Sequence, residues 1–389
     1  AMKPARVALA LALAGVAALY VAAGTSQPWD FETYYYAASA YRAHLDPYDP
    51  IALSSVAGRP VDLPFLYPPI TLAPFIALSL LPLSAASLVW LGLKLCFLAG
   101  LLTTWRKTLL RGVPGEALLG VTLFGFNAAV LWDLRTGNVA IVEALLLWAG
   151  FLSYVRGRAL RSACFISAAS VFKIAPVAFL GLLVVVPSPA RKRVLAVILG
   201  VTLLAALLAA GGPLTLRWAV ALARSIVGER QTGEVNPSAL GILDGILGQR
   251  HRGLALALFG LYACAIILAA LPMLRRLRRR GSPEEWVIVA ITLWVLLSPR
   301  AMIYSYVLMI VPALSVVQHL ITSPRVQVLS YFILMTQGLV RLLPGRPPAA
   351  LAEGPFLLTL AVFALFVARI GSVESQRSPE RQIPPGDAG

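Results

Sequence analysis

Ten runs of 16–22 predominantly apolar residues recur along the chain, and a run of this length is what an α-helix needs to cross the hydrocarbon core of a bilayer. They lie at 5–24, 84–105, 116–132, 138–155, 193–211, 253–273, 284–299, 303–321, 326–343 and 352–370. Of the 389 residues, 59% are hydrophobic and 13% charged, and the mean hydropathy is +0.81. A water-soluble core of this size cannot hide so much apolar surface. The expected class is an all-α polytopic membrane protein. Lys3 and Arg6 precede the first run, VALALALAGVAALYVAAG, but no small-residue cleavage site and soluble domain follow it. It therefore reads as a retained span, not a signal peptide.

One stretch does not fit a simple crossing. Ser162 to Pro187 reads SACFISAASVFKIAPVAFLGLLVVVP, with Lys173 and Pro176 near its middle. Basic clusters flank it, Arg156, Arg158 and Arg161 before and Arg191, Lys192 and Arg193 after. If both clusters face the cytoplasm, the segment enters and returns as two short helices with Lys173 near the bend. Such broken helices are tolerated where they line a polar cavity. With the N-terminus inside, 20 of the 33 Lys and Arg fall on cytoplasmic segments and 11 on the opposite side; Lys94 and Lys173 fall within the membrane. That bias agrees with the positive-inside rule and predicts both termini cytoplasmic.

Two long extracytoplasmic loops follow, 25–83 and 212–252, within one membrane-embedded unit over 1–371. FLYPPITLAPFIALSLLP (65–82) is apolar but broken by four prolines, so it predicts an interfacial helix and not a span. The second loop predicts a further interfacial helix over 214–227 and a turn at Asn236-Pro237. The polar tail 372–389 reads as disordered.

The net charge of +16 is explained by cytoplasmic loops and anionic headgroups, without a nucleic-acid partner. Cys96, Cys164 and Cys264 all lie in apolar runs, which argues against a disulfide framework or a zinc site. Asp46 and Asp49 in DPYDP read as turn residues; their spacing is not that of an Asp-x-Asp metal site. No metal and no cofactor are expected.

The first loop opens WDFETYYYAASAYRAHLDPYDP from Trp29. Asp30, Tyr34, Ala37 and Tyr41 share one helix face. Position alone leaves two readings of Asp30: a cap on an interfacial helix whose tyrosines belong to the aromatic belt, or a catalytic carboxylate. Lys173 either snorkels to the interface or serves a site, since a central Lys costs about 2.5–3.5 kcal/mol on insertion. Glu143 faces a similar cost and needs a partner: Lys94, Arg135 or a site group.

Several short elements occur together and in order. They are Asp30 with Tyr34–Ala38, Asp46-Pro47-Tyr48, Tyr67-Pro68-Pro69, Lys173 with Pro176, and Ser298-Pro299. Over roughly residues 5–320 this arrangement resembles the GT-C superfamily of lipid-linked glycosyltransferases, and within it family 87, the polyprenyl-phosphate-mannose-dependent mannosyltransferases. The resemblance implies a GT-C type bundle of about ten spans. It also implies a polyprenyl-phosphate sugar donor, a lipid or glycan acceptor, a site outside the cytoplasm in the cell membrane, and a first-loop carboxylate as base. Inverting transfer needs one base, and a phosphate leaving group needs positive charge more than an acid. Asp30 fits the base, with Glu32 as its substitute. Lys173 and Arg300 fit the donor phosphate, and Arg135 in the LRTGN turn is a third cation, although a topology-setting or headgroup role explains it equally. Tyr34, Tyr67, Asn138, Glu143 and Tyr304 are further candidate cavity residues.

One element departs from the pattern. Family members often carry Trp and His after S-P, whereas this chain reads SPRAMIYSYVLM, with Tyr304, Ser305 and Tyr306 there. The departure leaves the sugar open and allows a catalytically silent relative. A rival of another class is a transporter or flippase, which would also have broken helices and buried charge; the concentration of polar residues in two loops on one side favours the enzyme.

Overall fold

Helices account for nearly all of the computed structural model, which describes residues 4–24, 28–61, 63–185, 189–228, 232–342 and 349–375; no strand occurs among them. The chain starts with α1 (Pro4–Gly24), then α2 (Trp29–Arg42) and α3 (Pro50–Ala57). The DPYDP segment makes both a turn and a helix start. Asp46 Oδ1 accepts from the Tyr48 N–H at 3.0 Å, and Asp49 caps α3 by accepting from the Ile51 N–H ahead of an N1 proline. A short 3₁₀ turn (Pro69–Thr71) leads into α4 (Leu72–Leu78). As the prolines predict, 65–82 holds this short helix and no span.

The bundle continues with α5 (Leu83–Thr108), α6 (Gly115–Thr136), α7 (Ala140–Val155) and α8 (Ala159–Phe172). Helix α8 ends at Lys173, whose backbone is extended, and the chain goes on through a 3₁₀ segment (Ala175–Gly181) into α9 (Leu182–Val185). Pro176 cannot continue an α-helical hydrogen-bond ladder from α8, so the bend falls where the sequence puts it.

Next come α10 (Ala190–Ala209), α11 (Pro213–Gly228) and α12 (Ala239–Leu247). Helix α11 lies where the sequence predicts a helix over 214–227, while α12 is not predicted. Ser238 caps α12 by accepting from the Gly241 N–H. The last set is α13 (Arg252–Arg280), α14 (Pro283–Leu297), α15 (Ile310–Leu320), α16 (Pro324–Arg341), α17 (Ala349–Ala352) and α18 (Gly354–Ser375). Ser282 and Glu285 form a capping box at the start of α14. Helix α18 runs a few residues into the segment expected to be disordered; 376–389 lie outside the described residues.

Among the described residues, five stretches are long and apolar enough to cross a bilayer: α5, α6, α10, α13 and Ile303–Leu320. The other expected spans correspond to α1, α7, α14, α16 and α18, of 15–22 residues. Leu195, Ile198, Leu261 and Leu268 on α10 and α13 are exposed, as helices surrounded by lipid can be. Helix α6 is instead buried almost throughout and is packed by α1, α16 and the Ile303–Met309 turn. It breaks at Gly125–Ala128, where Phe126, Asn127 and Ala128 have φ of 51–59°. Left-handed backbone costs roughly 1–2 kcal/mol per non-glycine residue. Packing holds it there: Phe126 stacks on Tyr306 with ring centroids 6.1 Å apart, and Gly338 of α16 sits against the Phe124 carbonyl.

Candidate active site

The turn from α6 into α7 brings the polar groups together. Gly137 ends α6 at φ 75°, a left-handed cap glycine accepts readily. The space matters as well, because a Cβ there would lie 2.5 Å from the Phe31 Cβ. The Gly137 carbonyl accepts from Trp90 Nε1 at 2.8 Å. This close approach lays the first turn of α2 directly on the turn.

Asp30 does not cap α2. The N-cap is Pro28, with no side-chain cap bond. The Asp30 carboxylate is 8% exposed and accepts from Asn138 Nδ2 at 3.1 Å, with the Thr136 hydroxyl in hydrogen-bonding reach. Burial pushes its pKa above the ordinary 3.8, and the Asp133 charge adds to this, while Thr136, Asn138 and Lys94 oppose it. Asn138 Nδ2 also faces the Tyr34 hydroxyl at 3.3 Å, and Tyr34 donates to the Tyr67 hydroxyl at 2.9 Å. Desolvation raises the pKa of both phenols, so they stay neutral donors. Tyr48 braces this arm by donating to the Tyr67 carbonyl.

Opposite stands Lys173, at the bend after α8. Its ammonium is 3.0 Å from Glu143 Oε2 and 5.3 Å from the centre of the Tyr304 ring. Tyr304 lies in the electrostatic reach of Asp30, Tyr67, Asp133 and Arg300 and so bridges the two halves. The segment carrying Arg300 is fastened by the second loop. Asn236 Oδ1 accepts from the Ala301 N–H, Ser238 donates to the Pro299 carbonyl, and Tyr306 donates to the Pro237 carbonyl. The turn expected at Asn236-Pro237 is therefore a clamp.

Asp30, Tyr34, Tyr67, Asn138, Glu143, Lys173 and Tyr304 thus form one cluster, with Arg300 at its edge. Two expected residues lie elsewhere. Glu32 points away from Asp30 and pairs with the exposed Arg59. Arg135 turns towards α1, its guanidinium 5.1 Å from the Tyr20 ring centre.

Sequence reasoning missed Asp133, which it put outside the membrane. Asp133 is fully buried, 2.7 Å from Lys94 Nζ, and its Oδ2 accepts from the Ala140 N–H at 2.9 Å. Lys94 also donates to the Asp133 carbonyl. The available signal was the lone Lys94 in an apolar run, which requires a counter-charge from a neighbouring helix. Among the described residues, no three His, Cys, Asp or Glu side chains gather as metal ligands would.

Fold and cluster together define a helical membrane protein with a buried, charged polar site at one end of its bundle. The model of glycosyltransferase family 87 matches residues 65–299, more than half of the chain, and the chain belongs to that family. The match contains Tyr67, Lys94, Asp133, Asn138, Glu143 and Lys173, while Asp30, Arg300 and Tyr304 lie beyond its ends. No curated protein matches the chain.

Proposed function

We propose that this glycosyltransferase moves a sugar, mannose by the family resemblance, from a polyprenyl-phosphate donor to a lipid or glycan acceptor, on the extracytoplasmic face of the cytoplasmic membrane. Both termini are then cytoplasmic. The observation that carries the reading is the convergence of a buried carboxyl, Asp30, and an ammonium, Lys173 with its partner Glu143, on a cluster whose other members, Tyr34, Tyr67, Asn138 and Tyr304, are neutral.

Asp30 takes the proton of the acceptor hydroxyl as its oxygen attacks the anomeric carbon. The carbon–oxygen bond to phosphate breaks, and polyprenyl phosphate leaves with the electron pair, with inversion. A carboxyl whose pKa is raised toward neutrality is a stronger base than an exposed one. Lys173 and Arg300 hold the phosphate and meet its growing charge, so no general acid is needed. Asn138 orients the carboxylate, and Tyr34, Tyr67 and Tyr304 offer hydroxyls to the sugar.

The donor's lipid tail has a matching place. A pocket of about 480 Å³ runs between the 3₁₀ segment after Lys173, α9 and α14, lined by Ala178, Phe179, Leu182, Val289, Leu293 and Trp294, and reaches Ser298 and Pro299. It suits an isoprenoid that would lose burial on leaving the bilayer. Family membership favours transfer over transport.

The test is transfer of label from radiolabelled polyprenyl-phosphate-mannose to a membrane extract by the purified protein in lipid, with Asp30→Asn in parallel. Transfer by the native protein alone supports the reading. Transfer that persists in Asp30→Asn moves the base elsewhere, and transfer only from another lipid-linked sugar changes the donor.

A further inference from the structure

Where the end of α6 that carries Arg135 meets the first turns of α5 and α2, a second pocket opens, of about 360 Å³. It is separate from the Asp30 cluster. Asp30 and Glu32 are two residues apart on α2 and so point to opposite faces; Glu32 and Phe31 line this pocket, and Asp30 does not. Its walls are of two kinds. Leu83, Leu88, Leu91, Leu134 and Trp90 are apolar, whereas Ser84, Ser87 and Arg135 bring polar groups to it.

Arg135 is the unusual member. Its guanidinium rests over Tyr20, yet its Nε is buried with no hydrogen-bond partner among the described residues. A guanidinium offers five donors in a fork that suits phosphate oxygens. Among the described residues no carboxylate pairs with Arg135, so an anion entering the pocket would meet an uncompensated cation. The acid in the pocket does not compensate it, because Glu32 is paired with Arg59. Leu88, in the α5 wall of the pocket, is 68% exposed, so the pocket opens on an apolar outer face of the bundle. Ser84 and Ser87 occupy the first two turns of α5, level with the last turn of α6. In a helix that crosses the bilayer, as the length and apolarity of α5 allow, the end turns are the ones that meet the headgroups.

We infer that this pocket is a binding site for an anionic phospholipid of the surrounding leaflet. Arg135 and the Ser84 and Ser87 hydroxyls take the headgroup phosphate, and the leucines take the start of an acyl chain. The bound lipid fills the space between the start of α5 and the end of α6 and backs the Phe31–Trp90–Gly137 contact that holds α2 on the site turn. The inference stands on this pocket and does not depend on the role given to Asp30.

Native mass spectrometry of the full-length protein in detergent tests it, after incubation with phosphatidylglycerol, phosphatidylcholine, polyprenyl phosphate or inorganic phosphate. The native chain should retain one phosphatidylglycerol. Arg135→Gln should weaken retention by about 10- to 100-fold, the worth of a charge-assisted hydrogen-bond set. Ser87→Phe, which fills the pocket without touching the charge, should weaken it too, and Arg158→Gln in the cytoplasmic cluster should not. Equal retention by both pocket variants and the native chain would overturn the inference, as would equal retention of phosphatidylcholine. Displacement of phosphatidylglycerol by stoichiometric polyprenyl phosphate or by inorganic phosphate would assign the pocket to the donor or to free anion.

Discussion

Lys94 Nζ and Asp133 Oδ1 lie 2.7 Å apart with neither side chain exposed, which joins α5 to the end of α6 inside the bundle. The pair does more than neutralise two charges. The second Asp133 oxygen accepts from the Ala140 N–H and so ties the start of α7, while the Asn138 carbonyl oxygen of the side chain accepts from the same N–H at 3.1 Å. The turn that presents Asn138 to Asp30 is therefore held from both ends.

Removing one partner strands the other charge. Lys94→Met alone should cost about 3–5 kcal/mol, read as a lower thermal midpoint in micelles. Adding Asp133→Asn should recover much of that loss, because the amide oxygen still accepts from Ala140 and no charge remains. A double variant no more stable than Lys94→Met would mean that the ion pair is not what the turn depends on.

Asp30 carries a prediction with a sign. Its raised pKa means that the folded chain holds the proton more tightly than the unfolded one. The stability this gives is fully present below the unfolded pKa and is lost as pH rises through the folded pKa. Asp30→Asn should therefore be as stable as the native chain or more so at pH 7, with the gap closing in acid, while transfer falls by on the order of 10²–10⁴-fold. In the native enzyme the acid limb of kcat/KM should lie above 3.8. Asn138→Ala removes a hydrogen bond to the carboxylate and should move that limb to higher pH. A limb unmoved by Asn138→Ala would show that Asp30 does not set it.

Gly137→Ala tests the contact between α2 and the turn. The added Cβ meets Phe31 at 2.5 Å on a left-handed backbone, so α2 must move or the turn must unwind. The strain alone is about 1–3 kcal/mol. Activity should fall further than stability, because the shift separates Asp30 from Asn138. A drop in thermal midpoint with kcat unchanged would show that this contact is structural only.

How much of this was legible in the sequence follows from range. Local chemistry was readable: the prolines that keep 65–82 from crossing, the bend at Lys173, and α11 within a residue of its expected bounds. Lys173 and Glu143 stood out because charges within apolar runs are costly, and Asp30 and Tyr34 by their shared helix face and the family resemblance. The partnerships were not readable, since they join residues distant in sequence. Asp30 meets Asn138 108 positions later, and nothing local told whether Glu143 would pair with Lys94, Arg135 or a site group, which the structure shows to be Lys173. Asp133 was lost because an acid at the predicted end of a run looks solvated, whereas α6 continues to Thr136 and buries it. The α6 break at Gly125–Ala128 had no local signal beyond one glycine.

Lys173 gives the last prediction. Its ammonium now shares charge with Glu143 at 3.0 Å, and a donor phosphate would have to share or displace that carboxylate. Lys173→Met should raise the donor KM by about 10- to 100-fold, as loss of a charged hydrogen bond does, and should weaken product inhibition by polyprenyl phosphate to a similar degree. Glu143→Gln frees the ammonium and should tighten that inhibition. The two variants thus move one readout in opposite directions, which a general loss of packing does not do. If both weaken inhibition, Glu143 orients the lysine and does not compete with the phosphate; if neither changes it, the phosphate is held elsewhere and Arg300 becomes the residue to substitute.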